Sequence, residues 1–210
     1  LAGYAANSKY PFLGGIRASS QMISYEIAMG LSVVPVFLMV GDLNLTAVVQ
    51  YQAGSLFDWL IFKQPLAFAI FVAAMFAEMN RLPFDLPEAE QELAGGYNVE
   101  YSSIKFALFF MGEYAAMTVG SALLVTLFLG GWSLPFAGLD QPASTWLGGF
   151  LHIGIFLAKM LFVEFTIIWV RWMWPRFRYD QLMNLGWRRL VPLGLANIVV
   201  TAVVLWALAK

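Results

Sequence analysis

Five stretches of mainly apolar residues, at 17–40, 59–80, 103–129, 146–171 and 190–209, constrain any fold this sequence adopts. A helix needs about 20 such residues to cross the hydrocarbon core of a bilayer. Inside lipid every backbone amide must be satisfied without water, which leaves helices or closed barrels, and stretches this long read as helices. Composition agrees: 60% of residues are hydrophobic and 12% charged, against about 25% charged in soluble domains. The sequence therefore predicts an all-α, polytopic membrane helical bundle of about five transmembrane helices. Its long loops lie on one side, and residues 1–210 form a single transmembrane domain. The second stretch is the least regular, because Lys63 and Pro65 interrupt its start.

Charge fixes the expected orientation. If five spans alternate, Lys9, Arg17, Arg81, Lys105, Arg171, Arg176, Arg178, Arg188 and Arg189 share one side, and only Lys63 and Lys210 lie on the other. Cationic loops stay in the cytoplasm, so the first side is read as cytoplasmic. The net charge of −1 gives no footprint for nucleic acid. With no cysteine, thiolate-held iron–sulfur clusters and disulfides are excluded. One histidine, His152, does not make a histidine-rich metal site, and there is no glycine-rich nucleotide loop. The expectation is a chain that binds no metal or redox cofactor itself. The sequence has no clear internal repeat, which weighs against an inverted-repeat transporter. Residues 1–6 read as the tail of an apolar segment with no charged stretch before it, so the chain is expected to lack its natural N-terminus rather than to begin with a signal peptide.

Ionisable groups within a span cost roughly 2.5–3.5 kcal/mol to insert and need a partner or a task. Glu26 lies ~13 Å into the first span and Glu113 ~15 Å into the third, counted from the same surface at 1.5 Å per residue. Lys159 is near the middle of the fourth. If these helices pack together, Glu26, Glu113 and Lys159 form a polar layer at similar depth, an arrangement suited to a proton relay. Glu164, nearer the cytoplasm, reads as one partner of an interfacial ion pair with Arg171. His152 reads as a packing residue hydrogen-bonded in place.

Two loops on the cationic side carry most of the remaining signal. In the stretch from Asn80 to Glu100, Asp85, Glu88, Glu90 and Glu92 crowd four carboxylates into eight residues, and Pro83 and Pro87 prevent a continuous helix. Composition alone reads this as a solvated acidic loop; a proton-collecting loop is the functional alternative. The later loop, Arg171-Trp172-Met173-Trp174-Pro175-Arg176-Phe177-Arg178-Tyr179-Asp180-Gln181, interleaves cations and aromatics. That pattern fits a lipid headgroup zone or a docking surface for a partner.

The run Asn80-Arg81, Pro83-Phe84-Asp85-Leu86-Pro87-Glu88-Ala89-Glu90, Glu92-Leu93, Gly96-Tyr97, Glu100-Tyr101 and Glu113-Tyr114 resembles the signature of the H-type membrane component of bacterial NADH:quinone oxidoreductase, respiratory complex I, the family of mitochondrial NADH dehydrogenase subunit 1. Asn7-Ser8-Lys9-Tyr10, Arg17-Ala18, Gln21 and Ser24-Tyr25-Glu26 are similar to its fourth-helix region, and Pro175 through Met183 to its last cytoplasmic loop. Met79 stands where the family often has Thr.

The resemblance implies a multi-pass subunit of the bacterial inner (plasma) membrane. It would line the tunnel through which quinone enters and couple quinone reduction to proton translocation. Quinone is then a substrate, and FMN and the iron–sulfur clusters belong to partner subunits. Those partners are the peripheral-arm quinone-module subunits and adjacent small membrane subunits, with lipid around them. Glu26 and Glu113 are implied as intramembrane carboxylates of the coupling chain. Asp85, Glu88, Glu90, Glu92 and Glu100 form its acidic loop; Arg17, Arg81, Arg176, Arg178 and Asp180 are charge partners or subunit contacts. Two alternatives remain: the related docking subunit of a membrane-bound hydrogenase, which hydrogenase co-purification would reveal, and a stand-alone ion-coupled transporter, which would carry solute in liposomes without partners.

Overall fold

A computed structural model describes residues 1–85, 96–98, 100–135, 139–143 and 145–208, the side chain of Tyr97 excepted. Among the described residues the chain is helical and contains no strand. A short α1 (Ala2–Ala5) leads into α2 (Lys9–Val40). Then come α3 (Leu45–Tyr51), α4 (Leu60–Lys63) and α5 (Pro65–Glu78). Two long helices follow, α6 (Ser103–Phe128) and α7 (Trp146–Met173). The last stretch, Tyr179–Leu208, is helical throughout: α8 (Tyr179–Asn184), a π-helical turn (Leu185–Leu190) and α9 (Val191–Leu208).

Four of these, Lys9–Val40, Ser103–Phe128, Trp146–Met173 and Tyr179–Leu208, are long and apolar enough to cross a bilayer. The boundaries differ from the sequence reading in instructive ways. α2 begins at Lys9, not at Arg17. A charge marks where lipid ends, not where the helix ends, and Pro11 is tolerated because first-turn amides have no helical partner. Gly41, at φ 77°, closes α2 by donating its N–H to Phe37 O, the usual left-handed helix stop.

The expected second span is broken. Gln64 separates α4 from α5, and Pro65 opens the new helix, where its missing N–H costs nothing. α5 has 14 residues, so it is only ~21 Å long at 1.5 Å per residue. It is also among the best-buried elements, with Ala67, Ile70, Phe71, Ala74, Met75 and Ala77 almost inaccessible. α5 packs on α2 along one side and on α6 along another. A helix enclosed by protein need not match the thickness of the hydrocarbon core. Phe68 and Phe71 meet Phe128 with ring centroids at 5.5 Å, and α9 lies against α2, where Gly194 lets the Leu31 side chain approach. α7 leans on α6 and is otherwise the most exposed of the long helices.

Candidate functional site

At the arginine-rich end, the segment after α5 is gripped from several directions. The fully buried Gln21 of α2 donates from Nε2 to Ala77 O at 2.8 Å and Phe84 O at 2.9 Å, and to Asn80 Oδ1 at 3.2 Å. Phe84 sits between the rings of Tyr25 and Phe177, at 5.7 and 5.4 Å. The Phe177 N–H donates to Pro83 O at 3.0 Å, and Tyr25 Oη donates to Leu182 O at 2.9 Å. One short segment is thereby tied to α2, to the loop after α7 and to α8.

Charged groups lie along this junction. Arg81 pairs with Glu113 of α6 at 3.3 Å, both side chains about 10% exposed, and its guanidinium lies 4.8 Å from the Tyr114 ring centroid. Asp85 pairs with Arg176 at 2.9 Å. One turn before Arg81, Glu78 has its Oε2 buried without a hydrogen-bond partner among the described residues, while Glu26 of α2 is exposed. Glu78 and Arg81, three residues apart, bring a buried carboxylate oxygen and the Arg81–Glu113 pair to the same junction. The Arg17 guanidinium lies 6.0 Å from the Tyr179 ring centroid.

At the opposite end the part-buried cation uses neutral partners, and the ion pair there, Lys63–Asp58 at 3.1 Å, is partly exposed. Lys159 Nζ donates to the carbonyls of Leu129, Gly131 and Ser133 at 2.7, 3.1 and 2.7 Å, and lies 4.6 Å from the Trp59 ring centroid. All three ammonium donors are used, at the carbonyl-rich C-terminal end of α6, where a cation is favoured. Gly130 and Gly131 have φ of 72° and 52°; a Cβ on either would strike Trp59 or Val49. Gln52 Nε2 reaches the carbonyls of Val48, Thr126 and Leu127, while its Oε1 accepts from the N–H groups of Leu60 and Gly130. Gln64 joins Thr201 and Asn197 at 3.0 and 3.2 Å. His152 Nδ1 lies 3.2 Å from Trp132 O.

The sequence matches the family model described as NADH dehydrogenase over residues 1–202. The chain belongs to the NADH dehydrogenase family. It is 50% identical to the NADH-quinone oxidoreductase subunit 8 of Rhodothermus marinus, over 96% of this chain and 61% of that protein. It is 50% identical to an H-type NADH-quinone oxidoreductase subunit of Geobacter metallireducens, over 97% and 55% respectively. The corresponding H-type protein of Flavobacterium johnsoniae is 46% identical, over 98% and 58%. The chain therefore spans roughly three-fifths of the length of these curated relatives.

In this NADH dehydrogenase family chain, the residues singled out from sequence divide into groups. Arg81 and Glu113 come together, as do Asp85 and Arg176. Glu26 does not join them: it is exposed on α2 and forms no ion pair among the described residues. Lys159 does not share their depth: its carbonyl partners begin at Leu129, sixteen residues beyond Glu113, which is ~24 Å along the helix. Counting from helix ends misplaced it, because α6 and α7 are longer than the bilayer core and the loop after α6 folds back onto α7. Glu164 and Arg171 form no ion pair among the described residues; seven residues separate them by ~10 Å. Glu100, Arg178 and Asp180 are exposed at the arginine-rich end. Glu88, Glu90 and Glu92 lie outside the described residues.

Glu78, Gln21 and Gln52 are the residues sequence reasoning passed over. Glu78 stands next to Arg81 and Asn80, so it reads as a charge marking the end of a span. The usable signal was its distance from Pro65: thirteen residues place it on a helix too short to have left the membrane. Gln21 and Gln52 carry no motif, and only their multiple partners identify them.

Proposed function

We propose that this chain is part of the membrane arm of a proton-pumping NADH:quinone oxidoreductase in a bacterial plasma membrane, with its arginine-rich end toward the cytoplasm. Its relatives carry the names of such subunits, and the four long apolar helices fit a multi-pass membrane protein. NADH oxidation, FMN and the iron–sulfur clusters are assigned to partner subunits, consistent with a chain lacking cysteine. Quinone is the substrate, entering along a tunnel that this chain lines together with the parts of its family outside these residues.

The observation that carries the coupling role is the nearly buried Arg81–Glu113 pair, three residues from the buried Oε2 of Glu78, where α5 meets α6. A charge on Glu78, whose Oε2 is buried without a hydrogen-bond partner among the described residues, is costly there, and a proton taken up removes that cost. A change of charge near the Asp85–Arg176 pair, as quinone is reduced, is felt at Arg81 four residues away and shifts its hold on Glu113. Buried ion pairs of this kind are well suited to be biased by a nearby charge. In this reading Glu26, Glu78 and Glu113 carry protons, Arg81 tunes them, and Lys159 anchors the far turn instead of relaying.

The test is Glu113→Gln and, separately, Glu26→Gln in the assembled enzyme. NADH-driven proton uptake into vesicles should fall at least tenfold in each, with assembly retained. Normal pumping and turnover in both variants would overturn the relay.

A further inference from the structure

The basic surface at the arginine-rich end is only partly used by the junction described above. Arg176 pairs with Asp85 and Arg17 stacks on Tyr179. Arg188 and Arg189 do neither. Both are exposed, with no ion pair among the described residues, and they line a cavity of about 570 Å³ with Phe177, Gln181, Asn184 and Leu185. Gln181, Asn184, Leu185, Arg188 and Arg189 all turn toward this cavity from α8 and the π-helical turn.

Three features of this face converge on one chemistry. Two guanidiniums with a side-chain amide from each of Gln181 and Asn184 offer only donors and dipoles toward an anion, and guanidinium forks match phosphate oxygens. The adjacent Trp187 is half exposed and donates its Nε1–H to Ser24 Oγ at 2.8 Å, which leaves an apolar ring with its one polar group satisfied beside the arginines. Below the arginines the same face turns apolar: Leu193 and Val200, four and eleven residues beyond Arg189, are exposed at 44% and 59%. Val200 is ~16 Å below Arg189, about the depth of one leaflet of a ~30 Å hydrocarbon core. A cationic pocket above an apolar strip one leaflet deep has the two-part shape of a phospholipid.

We infer that Arg188 and Arg189, with Gln181 and Asn184, bind the phosphate of an anionic phospholipid in the cytoplasmic leaflet, an acyl chain lying along Leu193 and Val200. The site is separate from the Arg81–Glu113 junction, and its occupancy does not depend on quinone chemistry. An acidic segment of a partner protein would satisfy the arginines but would leave the apolar strip below them uncovered.

The test uses the intact complex containing this chain, purified in mild detergent and incorporated in nanodiscs of phosphatidylcholine with one-fifth phosphatidylglycerol. Native mass spectrometry reads retained phosphatidylglycerol and subunit composition. Arg188→Gln/Arg189→Gln should lower retained phosphatidylglycerol at least threefold with every subunit still present, and Arg188→Lys/Arg189→Lys should restore at least half of it. Leu193→Asn, which leaves the arginines intact, should also lower retention. Unchanged retention in the double glutamine variant overturns the site. So does loss of a protein subunit from that variant with lipid unchanged, since the occupant is then a partner chain.

Discussion

At the arginine-rich end Arg81 and Glu113 face each other across two helices at 3.3 Å, with Asp85 and Arg176 beside them; at the opposite end Lys159 is held by three backbone carbonyls. Both arrangements satisfy a cation away from bulk water, but they differ in what can disturb them. A carboxylate changes charge when it gains a proton, so a pair built from two side chains can be loosened by chemistry nearby. A peptide carbonyl does not titrate, so the Lys159 cage can be loosened by proton transfer only at the ammonium itself. One end is a fastening, the other a contact that can be switched.

The contrast predicts an order of effects. The largest loss should come from Lys159→Met, which strips three carbonyls at about 1–3 kcal/mol each. We expect about 4 kcal/mol of destabilisation, read as a lower denaturant midpoint in mixed micelles. Arg81→Met alone should cost about 3 kcal/mol, because it leaves Glu113 without its ion-pair partner. Arg81→Met combined with Glu113→Leu should recover most of that, since an apolar replacement of a buried pair is often neutral. If Arg81→Met cost more than Lys159→Met, the division between fastening and switch would fail. Gln52→Leu should cost about 2 kcal/mol from its lost hydrogen bonds, with proton pumping per quinone reduced unchanged; altered pumping would mean the ends are coupled through α6.

The smallest effect belongs to Asp58, whose carboxyl is held below its ordinary value of 3.8 by a hydrogen bond and charge attraction from Lys63, with help from the Ser55 N–H. A carboxylate with a lowered folded-state pKa contributes stability above 3.8 that is lost as pH falls through the folded value. Asp58→Asn should therefore lower the unfolding midpoint slightly and by the same amount between pH 5 and 8, and its difference from the parent should vanish in stronger acid.

The helical class and the location of the long spans were legible because bilayer thickness imposes a length on apolar runs, and the signature around Arg81 was legible as a run of residue types. Partnerships were less so. Glu113 was visible as an anomaly in its span, but nothing in the sequence tied it to Arg81, because that contact depends on how α5 docks between α2 and α6. Lys159 was equally visible and was assigned the wrong neighbours: depth counted along one helix does not say where the loop of another folds back. Glu78 was missed because a short, enclosed helix does not obey the length rule that located the others.

That enclosed helix also bears on how the protein is made. At ~21 Å, with Lys63 and a proline break at its start, α5 is too short to partition into lipid unaided during synthesis. It is better placed in the bilayer against a helix already there, and α2, translated before it and packed along it, is such a helix. On that order Gln21, whose amide reaches Ala77 O at the far end of α5 from α2, closes the contact that seats the short helix.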